Sequence, residues 1–207
     1  MPKRDRISDI EMSEAYSYIY SHAVPNHSLY GAFDRRAQQF YAWIKDNVPP
    51  GAFVLDAGCG RGFLLRWLAA SGYKIEGTEI AKWLLEEGGD LCGMPILRIY
   101  YWQLSDIPDE YYDVTASSDV IEHLQTEEEA EEAIRQLVRL SKGPVLISTG
   151  GLRQAHNPFP QEVKFGIGGL HFIIHPKEWW IELYEKYCVL DKAYEAAGSL
   201  FMFGRKK

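Results

Sequence analysis

The sequence predicts an α/β fold: a seven-stranded, mostly parallel sheet with helices on both faces and an antiparallel C-terminal hairpin. Three observations carry it. Apolar runs of strand length alternate with segments of helical period along most of the 207 residues. The first run, Phe53-Val54-Leu55, leads into Gly58, Gly60 and Gly62 and then an apolar helical pattern from Phe63. Strand, glycine turn and helix in that order let a backbone approach a ligand at a helix N-terminus. The chain closes on two strand-like runs, Cys188 to Tyr194 and Ser199 to Phe203, joined by a linker short enough for a hairpin.

The elements follow in order. Residues 1–7 read as a polar tail. Ser8 and Glu11 have capping-box spacing, and a helix runs from there to about Ser21, with Tyr16, Ile19 and Tyr20 at helical intervals. Val24 to Ser28 breaks it, and a second helix covers about Phe33 to Lys45. The helix after the glycine turn ends near Ala70, and Tyr73 to Thr78 alternates as strand two, ending at Glu79. A short helix over Ala81 to Glu87 precedes strand three, Pro95 to Tyr101. A turn from Asp109 leads into strand four, which ends at Ser118. Thr126 and Glu129 form a second capping box, with Glu127 and Glu128 suited to the positive end of a helix reaching about Leu140. Strand five is Val145 to Thr149. The irregular stretch from Gly150 to Gly169 follows it on the carboxyl side of the sheet, where α/β proteins bind ligands. Pro176 starts the last helix, through about Tyr187, and Gly204 to Lys207 reads as solvated charge.

Composition bounds the function. Hydrophobic content of 46% and charged content of 25% are those of an ordinary globular chain, and the length suits one domain. With 22 basic and 29 acidic residues the net charge is −7, which disfavours nonspecific nucleic-acid binding and makes a nucleic-acid acceptor an unlikely expectation. Three unspaced cysteines, Cys59, Cys92 and Cys188, give neither a disulfide framework nor a zinc site. The charged start lacks a following apolar segment, and no apolar run approaches the roughly 18 residues of a membrane span, so a cytoplasmic protein without membrane contact is expected.

Asp56-Ala57-Gly58-Cys59-Gly60-Arg61-Gly62 resembles the first motif of the class I S-adenosylmethionine (SAM) methyltransferases: an acid, a small residue, then Gly-x-Gly-x-Gly. Dinucleotide sites use G-x-G-x-x-G. Here the third glycine comes one residue early, and a carboxylate that would repel a pyrophosphate would attract the ammonium and sulfonium of SAM. The resemblance covers nearly the whole chain. It implies a Rossmann-like core at 51–207, a helical lid at 1–50, and one domain over 1–207. It implies SAM as cofactor, with Asp56, Gly58, Cys59, Gly60 and Gly62 at the loop and Glu79 accepting from the ribose hydroxyls. Glu79 lies 23 residues beyond Asp56, close to the spacing expected of a ribose-binding acid. Ile80 would pack on adenine. Gln103 stands where many members carry an Asp that reaches the adenine amino group; its carbonyl still accepts from an amine, and Asp106 substitutes if the register slips. The backbone of Leu104 and Ser105 would face the base, and Ser118 and Asp119 close the cofactor set. Tyr16, Tyr20, His27 and Tyr30 are candidates to line the lid, though tyrosines at helical spacing equally fit a core with wet hydroxyls.

Methyl transfer is an in-line displacement, and a hydroxyl acceptor benefits from a base or a metal. Asp119, Glu122 and His123 have the spacing of one helical face. They resemble the E-x-x-E-H metal motif of ubiquinone-pathway and small-RNA methyltransferases, with His171 as a further ligand for Mg²⁺ or Mn²⁺. The same Glu-His pair occurs in type 11 methyltransferases without a metal, where His123 borders the acceptor pocket and Glu122 orients the turn. The assignment adopted is His123 as catalytic base, His171 as a substrate contact, and no metal ligand. The expected activity is methyl transfer to a small-molecule or glycan acceptor at a hydroxyl. The alternatives are a metal-dependent RNA 2′-hydroxyl methyltransferase and a SAM-binding partner protein without catalysis.

Overall fold

The computed structural model of the chain describes residues 7–22, 35–87, 94–97, 101–150, 152 and 171–207, with the backbone alone at 22, 87, 97 and 101–103. Seven strands form one sheet: β1 (Phe53–Ala57), β2 (Lys74–Thr78), β3 (Ile96–Leu97), β4 (Val114–Ser118), β5 (Pro144–Thr149), β6 (Cys188–Ala196) and β7 (Ser199–Lys206). Their order is β3-β2-β1-β4-β5-β7-β6. The β1–β2, β2–β3, β1–β4 and β4–β5 pairs are parallel, and β7 runs antiparallel to both β5 and β6. Chain order reverses between β1 and β4. In an open α/β sheet that point opens a crevice at the carboxyl ends of the strands, and ligands bind there.

The helices are α1 (Asp9–His22), α2 (Arg35–Asn47), α3 (Phe63–Ala70), α4 (Glu127–Leu140) and α5 (Lys177–Glu185). Strand alternation sends side chains to two apolar layers. Val54, Val114, Leu146, Phe201 and Phe203 pack with Phe40 and Ile44 of α2 and Leu64 and Leu68 of α3. Leu55, Val145, Ile147 and Met202 pack with Ile134 and Leu137 of α4 and Trp180, Leu183 and Tyr184 of α5. A fully buried side chain of this size stabilises the fold by about 1.5–3 kcal/mol.

The first capping box forms, and the second forms on its Thr126 side. Ser8 N–H donates to the Glu11 carboxylate at 2.9 Å and Glu11 N–H returns to Ser8 Oγ at 3.3 Å. Glu129 N–H donates to Thr126 Oγ1 at 3.2 Å, while the Glu129 carboxylate accepts from Gln125 N–H, one residue ahead of a reciprocal box. The hairpin turns on Ala197 and Gly198, both at positive φ (51° and 85°), the conformation that matches the twist of the flanking strands.

Four local expectations change. Residues 83–87 form a π-helical turn rather than an α-helix. Strand three is only Ile96–Leu97 among the described residues, and Tyr101–Asp106 is a 3₁₀ turn. The C-terminal charges are not a loose tail: Gly204 pairs with Val145 and Leu190, and Arg205 with Pro144 and Val189, so β7 extends through Lys206. Asp119, Glu122 and His123 do not share an α-helical face. Asp119 has φ 51° and only Ile121–His123 form a 3₁₀ turn.

Candidate active site

The carboxyl end of β1 carries the glycine loop. Gly58, Gly60 and Gly62 have φ of 77°, 51° and 70°, which is why glycine recurs at alternate positions. Gly58 and Cys59 N–H both donate to the Thr78 carbonyl, at 3.0 and 2.9 Å, tying the loop to the end of β2. Gly62 then serves as N-cap of α3. Cys59 is buried. Its thiol is pushed up by that burial, and by the carboxylates of Asp56 and Glu79. It is a filler, not a nucleophile.

Glu79 lies at the end of β2 and is 6% exposed. One carboxylate oxygen accepts from Gly60 N–H at 2.9 Å, the other from Ile80 and Ala81 N–H at 2.8 Å each. Burial raises its pKa, and the three backbone donors oppose the rise. Asp56, at the end of β1, is also buried, 4% exposed. The crevice thus holds two acids beside a ring of backbone N–H groups.

Helix α1 lies against this loop. Ser13 Oγ donates to the Ile80 carbonyl at 2.5 Å, Ser17 Oγ accepts from Trp83 N–H at 3.1 Å, and Arg61 donates to the Tyr20 carbonyl at 2.9 Å. The Arg61 guanidinium sits 5.7 Å from the ring centroids of both Tyr20 and Trp83. A Cβ on Gly60 would come within 3.0 Å of the Tyr20 hydroxyl, and the Tyr16 ring meets His123 edge-on at 5.9 Å. Two tyrosines one helical turn apart therefore face the glycine loop and the segment after β4.

Past β4, His123 and His171 rings approach at 4.8 Å, edge to face. Glu122 is fully buried. Its Oε1 accepts from Gly150 N–H at 2.7 Å, and its Oε2 has no hydrogen-bond partner among the described residues. Its carbonyl accepts from Phe172 and Ile173 N–H at 2.9 and 3.1 Å, which brings His171 to this place. Burial first, and the Asp119 carboxylate second, push the Glu122 carboxyl above the usual carboxylate range. Glu122, His123 and His171 offer ligand atoms within 4.8 Å of one another and are the described group that can hold a metal ion.

The sequence-predicted residues separate into three sets. Asp56, Gly58, Cys59, Gly60, Gly62, Glu79 and Ile80 lie at or just past the carboxyl ends of β1 and β2, with Tyr20 against Gly60, and Tyr16, His123 and His171 meet ring to ring past β4. Leu104 turns its side chain into the core, and its carbonyl accepts from Arg139 at 2.7 Å. The Ser118 and Ser148 hydroxyls are 3.1 Å apart. The Asp119 carboxylate is held by Arg36 and by Ser148 and Ser199, at 2.8 and 2.7 Å. Tyr30, His27 and the Gln103 side chain lie outside the described residues. Two participants went unassigned by sequence: Arg36 and Gly150. Arg36 and Gly150 carry no motif, since only the fold brings them to β4 and β5.

Among known proteins, the family described as a methyltransferase domain matches residues 29–189. A tRNA (carboxymethyluridine(34)-5-O)-methyltransferase of Arabidopsis thaliana is 32% identical over 125 residues, 56% of this chain and 30% of that protein. A thiopurine S-methyltransferase of Pseudomonas entomophila is 36% identical over 53 residues, 26% of this chain and 24% of that protein. The chain thus matches less than a third of the length of these curated relatives. A magnesium protoporphyrin IX methyltransferase of Synechocystis, solved with bound SAM, shares the fold at a TM-score of 0.66 and 15% identity, over 99% of this chain and 100% of that one. A Pyrococcus horikoshii protein gives 0.69 and 16%, over 91% and 98%. The tRNA-modifying relative overturns the expectation, drawn from net charge, that nucleic acid is an unlikely partner: charge summed over a chain does not report a local surface. Among the described residues no helix is long and apolar enough to cross a membrane. With the matched family spanning most of the chain, it is a member of the methyltransferase-domain family, of the class I SAM-dependent kind that its glycine loop resembles.

Proposed function

We propose that this chain transfers a methyl group from SAM to an oxygen acceptor, with residues 1–50 covering a core at 51–207. The observation that carries this reading is the buried carboxylate of Glu79 joined to the glycine loop through Gly60 N–H. Its Oε2 makes that single bond among the described residues and keeps a lone pair for a ribose hydroxyl. The residues present therefore fit SAM, and Asp56 adds a second buried acid for the cationic end of that ligand.

When bound, SAM supplies an electrophilic methyl carbon on a sulfonium. The chain's own residues do the rest. Tyr16 and Tyr20 cover the loop and exclude water, which strengthens the electrostatics of the crevice. His123 accepts the proton of the acceptor hydroxyl. His171, beside it, orients the acceptor. Most of the acceleration comes from holding the two reacting atoms about 3 Å apart.

The acceptor is a small-molecule or glycan hydroxyl, supported by imidazole and tyrosine rings gathered at one rim. The similarity to the Arabidopsis tRNA enzyme, whose name places the methyl on an oxygen, supports a second reading, an RNA acceptor. Calorimetric titration with SAM and S-adenosylhomocysteine, with NAD as control, comes first. Micromolar SAM binding without an NAD response is expected, and the reverse would sink the reading. Radiolabelled methyl transfer to a panel of sugars and phenols, run beside total tRNA, then separates the acceptors. Binding with no product on either panel would leave a SAM-binding protein without catalysis.

A further inference from the structure

We propose that Gln125 is a positioning residue for His123: its side-chain amide latches the start of α1 beside the base, so that docking of the helix and assembly of the rim around His123 are one event. The amide brackets Ile7 at two points. Its Oε1 accepts from Ile7 N–H and its Nε2 donates to the Ile7 carbonyl, at 2.7 Å each. One planar side chain thereby pairs both backbone groups of a residue 118 positions away. Glutamine suits this task because it carries a donor and an acceptor together, whereas a carboxylate only accepts.

Both sides of the bracket are fixed. Gln125 N–H donates to the Glu129 carboxylate at 2.8 Å, and Glu129 N–H donates to Thr126 Oγ1, so the Gln125 backbone is anchored on the first turn of α4. On the other side, Ile7 immediately precedes Ser8, whose reciprocal bonds with Glu11 open α1. The bracket therefore sets where, and in which direction, the chain enters that helix.

The helix carries that placement about 12 Å along its axis, from Ser8 to Tyr16. There the Tyr16 ring meets His123, two residues before Gln125. Ile7, Tyr16 and Phe172 pack around Ala15 and Ile19, and Phe172 N–H, next to His171, is held on the Glu122 carbonyl at 2.9 Å. Helix α1 thus touches both histidine-bearing segments, 121–125 and 171–173. A second row of side chains ties it to residues past β2, through Ser13 to the Ile80 carbonyl and Ser17 to Trp83 N–H. That row fixes the rotation of the helix about its axis, while the Gln125 bracket holds its first turn against the segment past β4. Tyr16 held on His123 keeps water from the imidazole and limits its orientations. That consequence rests on the proposed methyl transfer, which gives His123 its proton; the latch itself does not.

The test compares the full chain with its Gln125→Met and Gln125→Glu variants. Met keeps the side-chain length and removes both bonds; Glu keeps the acceptor and removes the donor. The readout is the ring resonance of His123 in heteronuclear NMR, whose position depends on the Tyr16 ring beside it. Gln125→Met is expected to move that signal in the same direction as Tyr16→Leu, and to add nothing in the Tyr16→Leu background. Gln125→Glu is expected to fall between wild type and Gln125→Met. Amide exchange in α1 is expected to quicken by about five- to a hundredfold in Gln125→Met, the size of two lost hydrogen bonds. A cooperative unfolding transition shows that each variant is folded, and Gln125→Glu serves if Gln125→Met is not. A His123 signal unmoved in the variants overturns the positioning role, even where α1 loses protection, because Gln125 then only ties down a helix. A signal that moves as far again in the Tyr16→Leu background overturns it too. SAM calorimetry separates this proposal from the one it rests on. A displaced His123 signal in a chain that does not bind SAM keeps the latch and removes the methyl-transfer reading; SAM binding with an unmoved signal does the reverse.

Discussion

Glu79 and Gly58 set two expectations at the scale of single residues. Glu79→Ala removes an acceptor shared by Gly60, Ile80 and Ala81 N–H. Hydrogen bonds to a charged group contribute about 1.5–3 kcal/mol each, so SAM affinity is expected to fall at least about tenfold for the lost ribose contact alone; unchanged affinity by calorimetry would remove Glu79 from the cofactor site. Gly58 has φ 77°, and a Cβ there would overlap the Val120 side chain. Gly58→Ala is expected to destabilise by about 2–5 kcal/mol, the sum of left-handed strain and overpacking. In a Val120→Ala background the overpacking part vanishes, so a double-mutant cycle in urea should show coupling of about 1–3 kcal/mol. Gly58 was legible in the sequence because a glycine loop must use positive φ. The task of Asp119 was not, because its partners Arg36, Ser148 and Ser199 lie 83, 29 and 80 residues away.

Elements were legible where local chemistry closes on itself. The α4 start is an example. Thr126 accepts from Glu129 N–H, and Glu127, Glu128 and Glu129 fill the first turn. Thr126→Ala is expected to cost about 1 kcal/mol by loss of the cap, and Thr126→Ser to restore most of it; denaturant midpoints check both, and an unaffected Thr126→Ala would mean the end is held by Glu129 and Gln125 alone. Elements misread from sequence are those whose form is set by neighbours. The 83–87 segment has helical spacing, yet Trp83 N–H is drawn to Ser17 of α1, and a π-helical turn results. Residues 204–206 read as tail because they are charged. Gly204 and Arg205 are nonetheless paired on both sides, with β5 and with β6, and Lys206 with β6. There Gly204 has Val189 C=O and the Tyr184 hydroxyl where a Cβ would go, a requirement that only the folded hairpin reveals.

Over the whole molecule, stability against pH is set by acids of opposite sign. Asp113 accepts from Lys142 Nζ and from Phe53 N–H, at 2.8 Å each, joining the start of β1 to the turn before β5. The Lys142 contact first, and the Phe53 N–H second, hold its carboxyl below the ordinary 3.8. A depressed folded value means the contribution is fully present above 3.8 and lost as pH falls through the folded value. Glu131, lowered by Tyr187 and Lys186, acts in the same direction. Glu79 is the reverse case. Burial raises it above the ordinary 4.5, so its contribution is present below 4.5 and lost as pH rises through the raised value. Urea midpoints of the wild-type chain should therefore climb as pH is lowered from neutral toward that ordinary value, then decline below 3.8. Asp113→Asn is expected to flatten the acid decline and leave the neutral limb unchanged. Glu79→Gln is expected to reduce the slope of the neutral limb and leave the acid decline. If both variants shift the whole curve by a constant, the pH dependence arises from Glu122, likewise raised by burial, or from the net charge of −7, rather than from these two carboxylates. Raising the salt concentration flattens wild type and variants alike only in the net-charge case.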